Sequence, residues 1–352
     1  MTESNNTASN IDNLKIGHID LDNLDFNSLI TEIGPNTYEI DTYLGGWNHV
    51  TAGYLLGEPR PFLVETGSQS SVKVLSKALS HLGIENGQLF GAAVTHIHLD
   101  HAGGIGDIAK AFKNAKIYVH PLGARHLIDP TKLISSASLV YGKLLDSLYG
   151  RLEPTEQQRI TVLNDGDIID LGNNRKLTAI DSPGHAKHHV ALMDSESGLL
   201  FAGDAVGVRL PEAGILRPSS PPADFDLFKM INSLKKFNDA KPYRIALAHY
   251  GVVDTEPIEL LSEAQEVVTR WAEVAKKAVI DHVDIAEALE EKFGLDFQKT
   301  DPSQKQKMET LNGIHSNAQG LKLWIEKNPD VLSMTSFNVK GILNTDLQGH
   351  NH

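Results

Sequence analysis

The chain has 352 residues, 41% of them hydrophobic and 22% charged, with a formal net charge of −13. This is a globular composition, long enough for one large domain with an appendage or for two domains. The acidic balance repels a phosphate backbone, so no nucleic-acid partner is expected, and the lack of cysteine removes disulfides, thiolate metal sites and cysteine nucleophiles. Residues 1–10 are polar with no apolar h-region, and no stretch approaches the ~18 apolar residues of a membrane span. A cytoplasmic protein that does not cross a membrane is the expectation.

Residues 1–12, rich in Ser, Thr and Asn, read as disordered. From about Leu29 to Glu65 the pattern is strand-like, broken by the Gly45-Gly46 turn. Ser71 to Leu82 has apolar residues at helical spacing and a stop at Gly83. Gly91–Thr95 is a buried strand, Ile105–Phe112 a helix and Lys116–His120 a strand. A helical region spans about Gly123 to Leu148. Strands follow at Arg159–Leu163, Asp167–Leu171, Lys176–Asp181, Val190–Asp194 and Leu199–Ala202. Pro211 to Pro222 is a long connection of the kind that forms lids or binding loops. A helix over Leu227–Phe237 and a strand over Arg244–Ala248 complete this region.

After Gly251 strand signals stop, and Ile258–Val279, Ile285–Phe293 and Ser303–Glu326 read as helices. The stripe Leu260, Leu261, Ala264, Val267, Val268 and Trp271 is expected to pack on the preceding domain. A homodimer contact or a pocket wall are its alternative uses. The expected organisation is a catalytic domain over 13–255, a helical subdomain over 256–346 and a flexible tail over 347–352.

The densest chemistry is His96-Ile97-His98-Leu99-Asp100-His101, where four metal-ligand side chains follow the end of an apolar strand. Imidazole and carboxylate are the usual ligands of zinc and neighbouring first-row metals. Three more such residues also follow strand-like runs: His185 after Leu177–Asp181, Asp204 after Leu199–Ala202, and His249 after Ile245–Ala248. Singly, each has an ordinary reading as a loop histidine or a turn aspartate. Four strand ends carrying His or Asp are a poor match to chance.

The pattern Thr95-His-x-His-x-Asp-His101-x-Gly-Gly104, then Pro183-Gly-His185, Gly203-Asp204 and His249 resembles the metallo-β-lactamase superfamily of hydrolases over roughly residues 30 to 251. Asp181-Ser-Pro-Gly-His-Ala-Lys-His-His-Val-Ala-Leu192 is similar to the stretch in its glyoxalase II and lactonase relatives. Leu139–Gly142, Arg217–Asp226 and Ala248–Gly251 resemble a prokaryotic branch whose substrates are largely unassigned. The resemblance implies an α+β fold, a four-layer αββα sandwich, here with the C-terminal helices added. It implies two divalent metal ions, zinc first with iron or manganese as alternatives. His96, His98 and His185 would hold one ion; Asp100, His101 and His249 would hold the other; Asp204 would bridge. One departure is Val64-Glu65-Thr66-Gly67, where many relatives carry Asp, and Glu65 keeps a carboxylate there.

Such a pair of cations, ~3.5–4 Å apart, lowers the pKa of a shared water and stabilises charge at the reacting centre. The implied function is a dinuclear metal-dependent hydrolase. A metal-bridging hydroxide would attack a small-molecule ester, thioester, lactone or phosphoester, with Asp100 as the catalytic group that orients the nucleophile or moves a proton. Trp47, Tyr141, Arg209 and Tyr250 are the candidate substrate contacts, each with an ordinary packing or surface role as its alternative. His188 and His189 read as supporting or surface histidines. The rival functions are a flavodiiron-like redox enzyme, disfavoured by His98 and the missing flavin domain; a nuclease; a non-catalytic metal-binding sensor; and a secreted β-lactamase.

Overall fold

The computed structural model describes residues 19–294 and 302–337; the segments expected to be disordered or flexible at 1–12 and 347–352 lie outside them. The chain divides into two compact units. The first runs to Tyr118 and includes Gly123–Thr161; the second holds Val119–Leu122 and the chain from Val162 onward.

The first unit opens with a helical turn, α1 (Phe26–Leu29), and a meander of β1 (Ile30–Gly34), β2 (Thr37–Asp41), β3 (Ala52–Leu56) and β4 (Phe62–Val64). These strands pair antiparallel. The apolar residues of β2 to β4 are buried, whereas edge strand β1 is half-buried with Thr31 and Glu32 exposed. Helix α2 (Val72–His81) buries Leu75, Ala78 and Leu79 of the stripe Val72, Leu75, Ala78, Leu79 and Leu82 that helical spacing predicts, with Val74 in addition, while Val72 and Leu82 are half-buried, and Gly83 ends the region with φ +78°. It leads to β5 (Gly91–Ala93), parallel to β4. After β5 come α3 (Leu99–Ala102), α4 (Ile105–Ala111) and β6 (Lys116–Val119), which is parallel to β5. Helices α5 (Pro121–Ile128) and α6 (Thr131–Tyr141) and a π-helical turn over Leu145–Tyr149 occupy the expected helical region. Strand β7 (Ile160–Val162) completes a seven-stranded sheet in sequence order.

The second unit is built on a six-stranded sheet in the order β15-β14-β11-β10-β9-β8. Its strands are β8 (Ile168–Gly172), β9 (Arg175–Asp181), β10 (Val190–Asp194), β11 (Leu199–Gly203), β14 (Arg244–Leu247) and β15 (Gly251–Val253). Strand β9 is antiparallel to β10, β10 antiparallel to β11, and β11 parallel to β14. The C-terminal ends of β9, β11 and β14 therefore lie along one sheet edge. The crossover from β11 to β14 carries α7 (Leu227–Asp239), whose N-cap Asp226 accepts the Lys229 N–H. Leu234 and Phe237 of α7 join Leu200, Ala202, Ile245 and Leu247 of the strands in one core cluster.

Of helices α8 (Pro257–Ile280), α9 (Ile285–Phe293), α10 (Pro302–Asn312) and α11 (Ile314–Lys327), α8, α9 and α11 share a second core with α7, whereas Met308 of α10 clusters with Val208 and Leu210. Trp271, Leu289, Leu321 and Trp324 are its buried centre. The stripe Leu260, Leu261 and Ala264 packs into the strand-side cluster of the same unit.

Three local expectations change. The connection over Pro211–Pro222 begins inside a hairpin, β12 (Val208–Leu210) paired with β13 (Ile215–Arg217), because Gly214, at φ +63°, allows the chain to reverse between two apolar alternating triplets. A strand, β15, follows Gly251. The helix read over Ser303–Glu326 is two helices broken at Gly313, whose backbone is extended (ψ 149°) and where a Cβ would stand 2.6 Å from the Glu309 carbonyl.

Candidate metal centre

The first unit presents its candidate ligand residues immediately after β5. Ile97 and Leu99 turn inward and are buried, while His98 and Asp100 are half-buried and His96 and His101 buried. His96 Nδ1 lies 3.1 Å from Thr95 Oγ1, leaving Nε2 aimed at His98, 2.9 Å from its Nδ1. The His96 and His101 rings have centroids 3.9 Å apart. His101 Nε2 stands 3.9 Å from Asp100 Oδ1, and its Nδ1 3.4 Å from Glu65 Oε2. Glu65 is buried and accepts the Thr95 N–H on Oε1 (3.1 Å). Its carboxylate thus binds the start of the cluster and lies against the ring at its end, where a carboxylate can orient an imidazole.

The loop after β4 fixes the cluster's backbone. Thr66 donates to the His101 carbonyl through both N and Oγ1 (3.1 and 2.8 Å). Gly103 is required here: a Cβ would lie 2.2 Å from the Leu99 carbonyl oxygen and 2.8 Å from the Gln69 nitrogen.

In the second unit the candidate ligand residues follow the C-terminal ends of β9, β11 and β14, the common edge described above. His185 Nε2 is 3.6 Å from Asp204 Oδ2, and His249 Nε2 is 3.6 Å from Asp204 Oδ1. One carboxylate therefore faces a different imidazole with each oxygen. His185 Nδ1 donates to the Ser219 carbonyl (3.2 Å), which leaves Nε2 as the nitrogen that faces Asp204. Ser219 Oγ donates to Asp204 Oδ2 (3.4 Å). His189 is fully buried; its Nε2 accepts the Asp204 N–H (3.3 Å), and its Nδ1 pairs with Ser182 Oγ (2.8 Å).

These side chains fit divalent cations. Five of these side chains are buried and two, His98 and Asp100, are half-buried, and His96 Nε2 and His98 Nδ1 face each other at 2.9 Å in the first unit. Burying such groups without a cation or a proton between them is costly. Among the described residues, the His and acidic side chains that form groups able to hold a metal ion are His96, His98, Asp100, His101, His185, Asp204 and His249, and no others.

The expected substrate contacts fall in three places. Trp47 is half-buried and follows the turn Leu44–Gly46, which Asp41 holds by accepting the N–H groups of Tyr43 (2.8 Å) and His49 (2.7 Å). Tyr141 packs against Tyr149 with the rings tilted by 40° and their centroids 4.4 Å apart. Burial pushes the Tyr149 phenol well above its ordinary range, with Tyr141 and the Asp100 carboxylate adding to the effect, so Tyr149 stays a neutral hydroxyl. Arg209 and Tyr250 flank His249: the Arg209 N–H donates to the His249 carbonyl (2.6 Å), and the Tyr250 N–H to the Arg209 carbonyl (2.8 Å). The buried neighbours of Arg209 on β12 are Val208 and Leu210, so strand alternation puts its side chain on the opposite face.

Sequence reasoning missed Tyr149 and Ser219, and left His189 between two roles. Only His189, shortly after the Pro183-Gly-His185 motif, stood where a local signal existed. His188 is also buried, with Nε2 3.6 Å from Asp224 Oδ2.

A family model for the metallo-beta-lactamase superfamily matches residues 45–249, more than half of the chain. The acyl-coenzyme A thioesterase MBLAC2 of Bos taurus is 30% identical over 120 residues, 33% of this chain and 40% of that protein, so the match spans well under half of that relative. A beta-lactamase-like protein 2 homolog of Drosophila melanogaster is 27% identical over 217 residues, 59% of this chain and 61% of its own length. The archaeal metallo-beta-lactamase superfamily protein ST1585 from Sulfolobus tokodaii shares the fold with a TM-score of 0.59 at 23% identity, covering 82% of this chain and 99% of its own. TTHA1429, a metallo-beta-lactamase family protein from Thermus thermophilus, gives 0.60 at 19% identity, covering 85% and 95%. The α+β class, the ordered His/Asp motifs and the matched span agree: the chain belongs to the metallo-beta-lactamase superfamily.

Proposed function

We propose that this chain is a dinuclear metal-dependent hydrolase of a small acyl substrate, a thioester ahead of an ester, lactone or phosphoester. In this reading His96, His98 and His185 would hold one ion, Asp100, His101 and His249 would hold the other, and Asp204 would be shared. The observation that carries it is Asp204, whose two oxygens each face one imidazole at 3.6 Å, the arrangement a bridging carboxylate needs. Thioesters come first because of the similarity to proteins named acyl-coenzyme A thioesterases.

Two bound cations supply a deprotonated water at neutral pH and stabilise oxyanion charge. The chain's own groups do the rest. Glu65, Thr95 and Ser219 fix the imidazole orientations, because each occupies or lies against the ring nitrogen that faces away from its neighbouring ligand. Asp100 is the one half-buried carboxylate of its cluster, and it orients the attacking water and carries the proton to the leaving group. Tyr149, neutral and near Asp100, is a hydroxyl donor there. Arg209 pairs with an anionic part of the substrate, and Tyr250 and Trp47 supply further contact surface. Zinc is the first candidate for both ions, with iron or manganese as the alternatives.

We take the protein to act in the cytoplasm on a small molecule, without nucleic acid. The catalytic domain is 13–255, and helices 256–346 form a subdomain able to contribute to a dimer. Among the described residues no helix is long and apolar enough to cross a membrane.

The test is a panel of acyl-coenzyme A, aryl ester, lactone and phosphodiester substrates on chain reconstituted with zinc, iron or manganese. Metal-dependent turnover, fastest on the thioester and lost in His98→Ala and Asp204→Ala, is the expected result. Full metal loading with no turnover on any of them would favour the sensor reading.

A further inference from the structure

We propose that Asn317 of helix α11 is a positioning residue for the metal-ligand pair His185 and Asp204, acting through Ser219; this rests on the metal-centre reading above. Ser219 touches both ligands: its carbonyl accepts His185 Nδ1–H, and its hydroxyl donates to Asp204 Oδ2. Ser219 lies in an irregular segment after β13, so something else must fix its place. The chain on either side of it is held by the α10–α11 corner.

On the far side, the Ser220 N–H and hydroxyl both donate to Asn317 Oδ1 (2.7 and 2.6 Å). On the near side, the Pro218 carbonyl accepts Asn312 Nδ2 (3.0 Å). The two asparagines are joined, Asn317 Nδ2 donating to Asn312 Oδ1 (2.7 Å) and to the Gly313 carbonyl (3.0 Å). Asn317 is 1% exposed, and both ends of its amide are used, so the side chain has one orientation.

Helix α11 also rests directly on this segment. A Cβ at Gly320 would fall 1.9 Å from the Ser220 carbonyl oxygen, so only glycine lets the helix come this close. A buried, saturated amide is not the cheapest way to fill such a space; what it adds over a leucine is a defined place for Ser220 and hence for the Ser219 carbonyl. A ring acceptor that shifts lets the imidazole turn, and loss of such a support weakens metal binding by about 10–100-fold.

The experiment measures zinc affinity of the full chain by chelator competition, and the visible spectrum of the cobalt(II) form. It compares wild type with Asn317→Leu, Ser220→Ala, His185→Ala and Leu321→Ala. Leu321→Ala empties the hydrophobic side of the same helix and reports what mere destabilisation does. Asn317→Leu is expected to weaken zinc binding tenfold or more and to shift the cobalt band. Ser220→Ala, the milder change should Asn317→Leu fold poorly, moves both in the same direction by less. Leu321→Ala leaves both as in wild type. If His185→Ala weakens binding while Asn317→Leu and Ser220→Ala do not, or if Leu321→Ala weakens it equally, the positioning role is wrong and the metal centre stands. If His185→Ala has no effect, both readings fall.

Discussion

Replacing Asp41 by Asn should remove a pH dependence that the turn beside Trp47 imposes on the fold. Asp41 is 2% exposed. Burial pushes its carboxyl up to about 6 from an ordinary 3.8, against the lowering effect of the His49 and Tyr43 N–H groups and of the His49 charge. Between those two pH values the folded chain keeps a proton that the unfolded chain has released. Stability from this group therefore falls as pH rises through the interval, by about 1.4 kcal/mol per pH unit and about 3 kcal/mol in all. Asn cannot titrate, and it keeps one of the two acceptors at a pH-independent cost of about 1–3 kcal/mol. Urea unfolding of both chains from pH 4 to 8, in the same metal state, gives the difference between them while other titrating groups cancel. The wild-type advantage should be largest near pH 4 and smaller by about 3 kcal/mol above pH 6. A difference that stays constant across the range would refute the argument.

Arg175→Met should destabilise the second unit by about 3 kcal/mol in urea unfolding, because it strands the buried Asp194 that Arg175 grips at 3.1 and 2.8 Å. Burial raises the Asp194 carboxyl, but the hydrogen bonds from Arg175 and Ser197 outweigh it and hold it below its ordinary range. The stability this pair gives is thus complete above about pH 4 and lost as pH falls through the lower folded value, and the variant should lose that acid sensitivity. Gly103→Ala should cost about 1–3 kcal/mol through overpacking against Leu99 and Gln69 and lower the bound metal, which elemental analysis reads; unchanged metal content would mean that the cluster's backbone tolerates the shift. Arg209→Ala should raise KM for an anionic substrate about tenfold or more with kcat little changed, the loss of one charge-assisted hydrogen bond, and an unchanged KM would remove Arg209 from the substrate contacts.

The candidate ligand residues are legible because each sits next to a strand whose apolar run is itself legible. Ala92 to Val94 must be buried, so His96 onward must leave the sheet at its edge, and the same logic holds for Asp204 after β11 and His249 after β14. Helix α2 is readable from the spacing of Val72, Leu75, Ala78, Leu79 and Leu82 alone. The break at Gly313 was not, because Gln304 to Leu311 and His315 to Trp324 carry acceptable helical spacing on both sides, and only the close approach to the Glu309 carbonyl makes glycine necessary. The hairpin β12–β13 hid among prolines that suggested an open loop. The supports of the site are non-local. Ser220 meets Asn317 across 97 residues, and nothing in either neighbourhood announces the pairing. Tyr149 matters through its burial near Asp100, which a helical segment with loose boundaries does not disclose.

The central claim is a two-metal site shared by seven ligands, with Asp204 common to both ions. Metal stoichiometry by elemental analysis on dialysed, zinc-reconstituted chain tests it most directly, in wild type and in Asp204→Ala. Two ions per chain in wild type, falling to one or none in Asp204→Ala with the fold retained by circular dichroism, is the predicted result. Equal metal content in the two chains, or no more than one ion in wild type at saturating zinc, would contradict it.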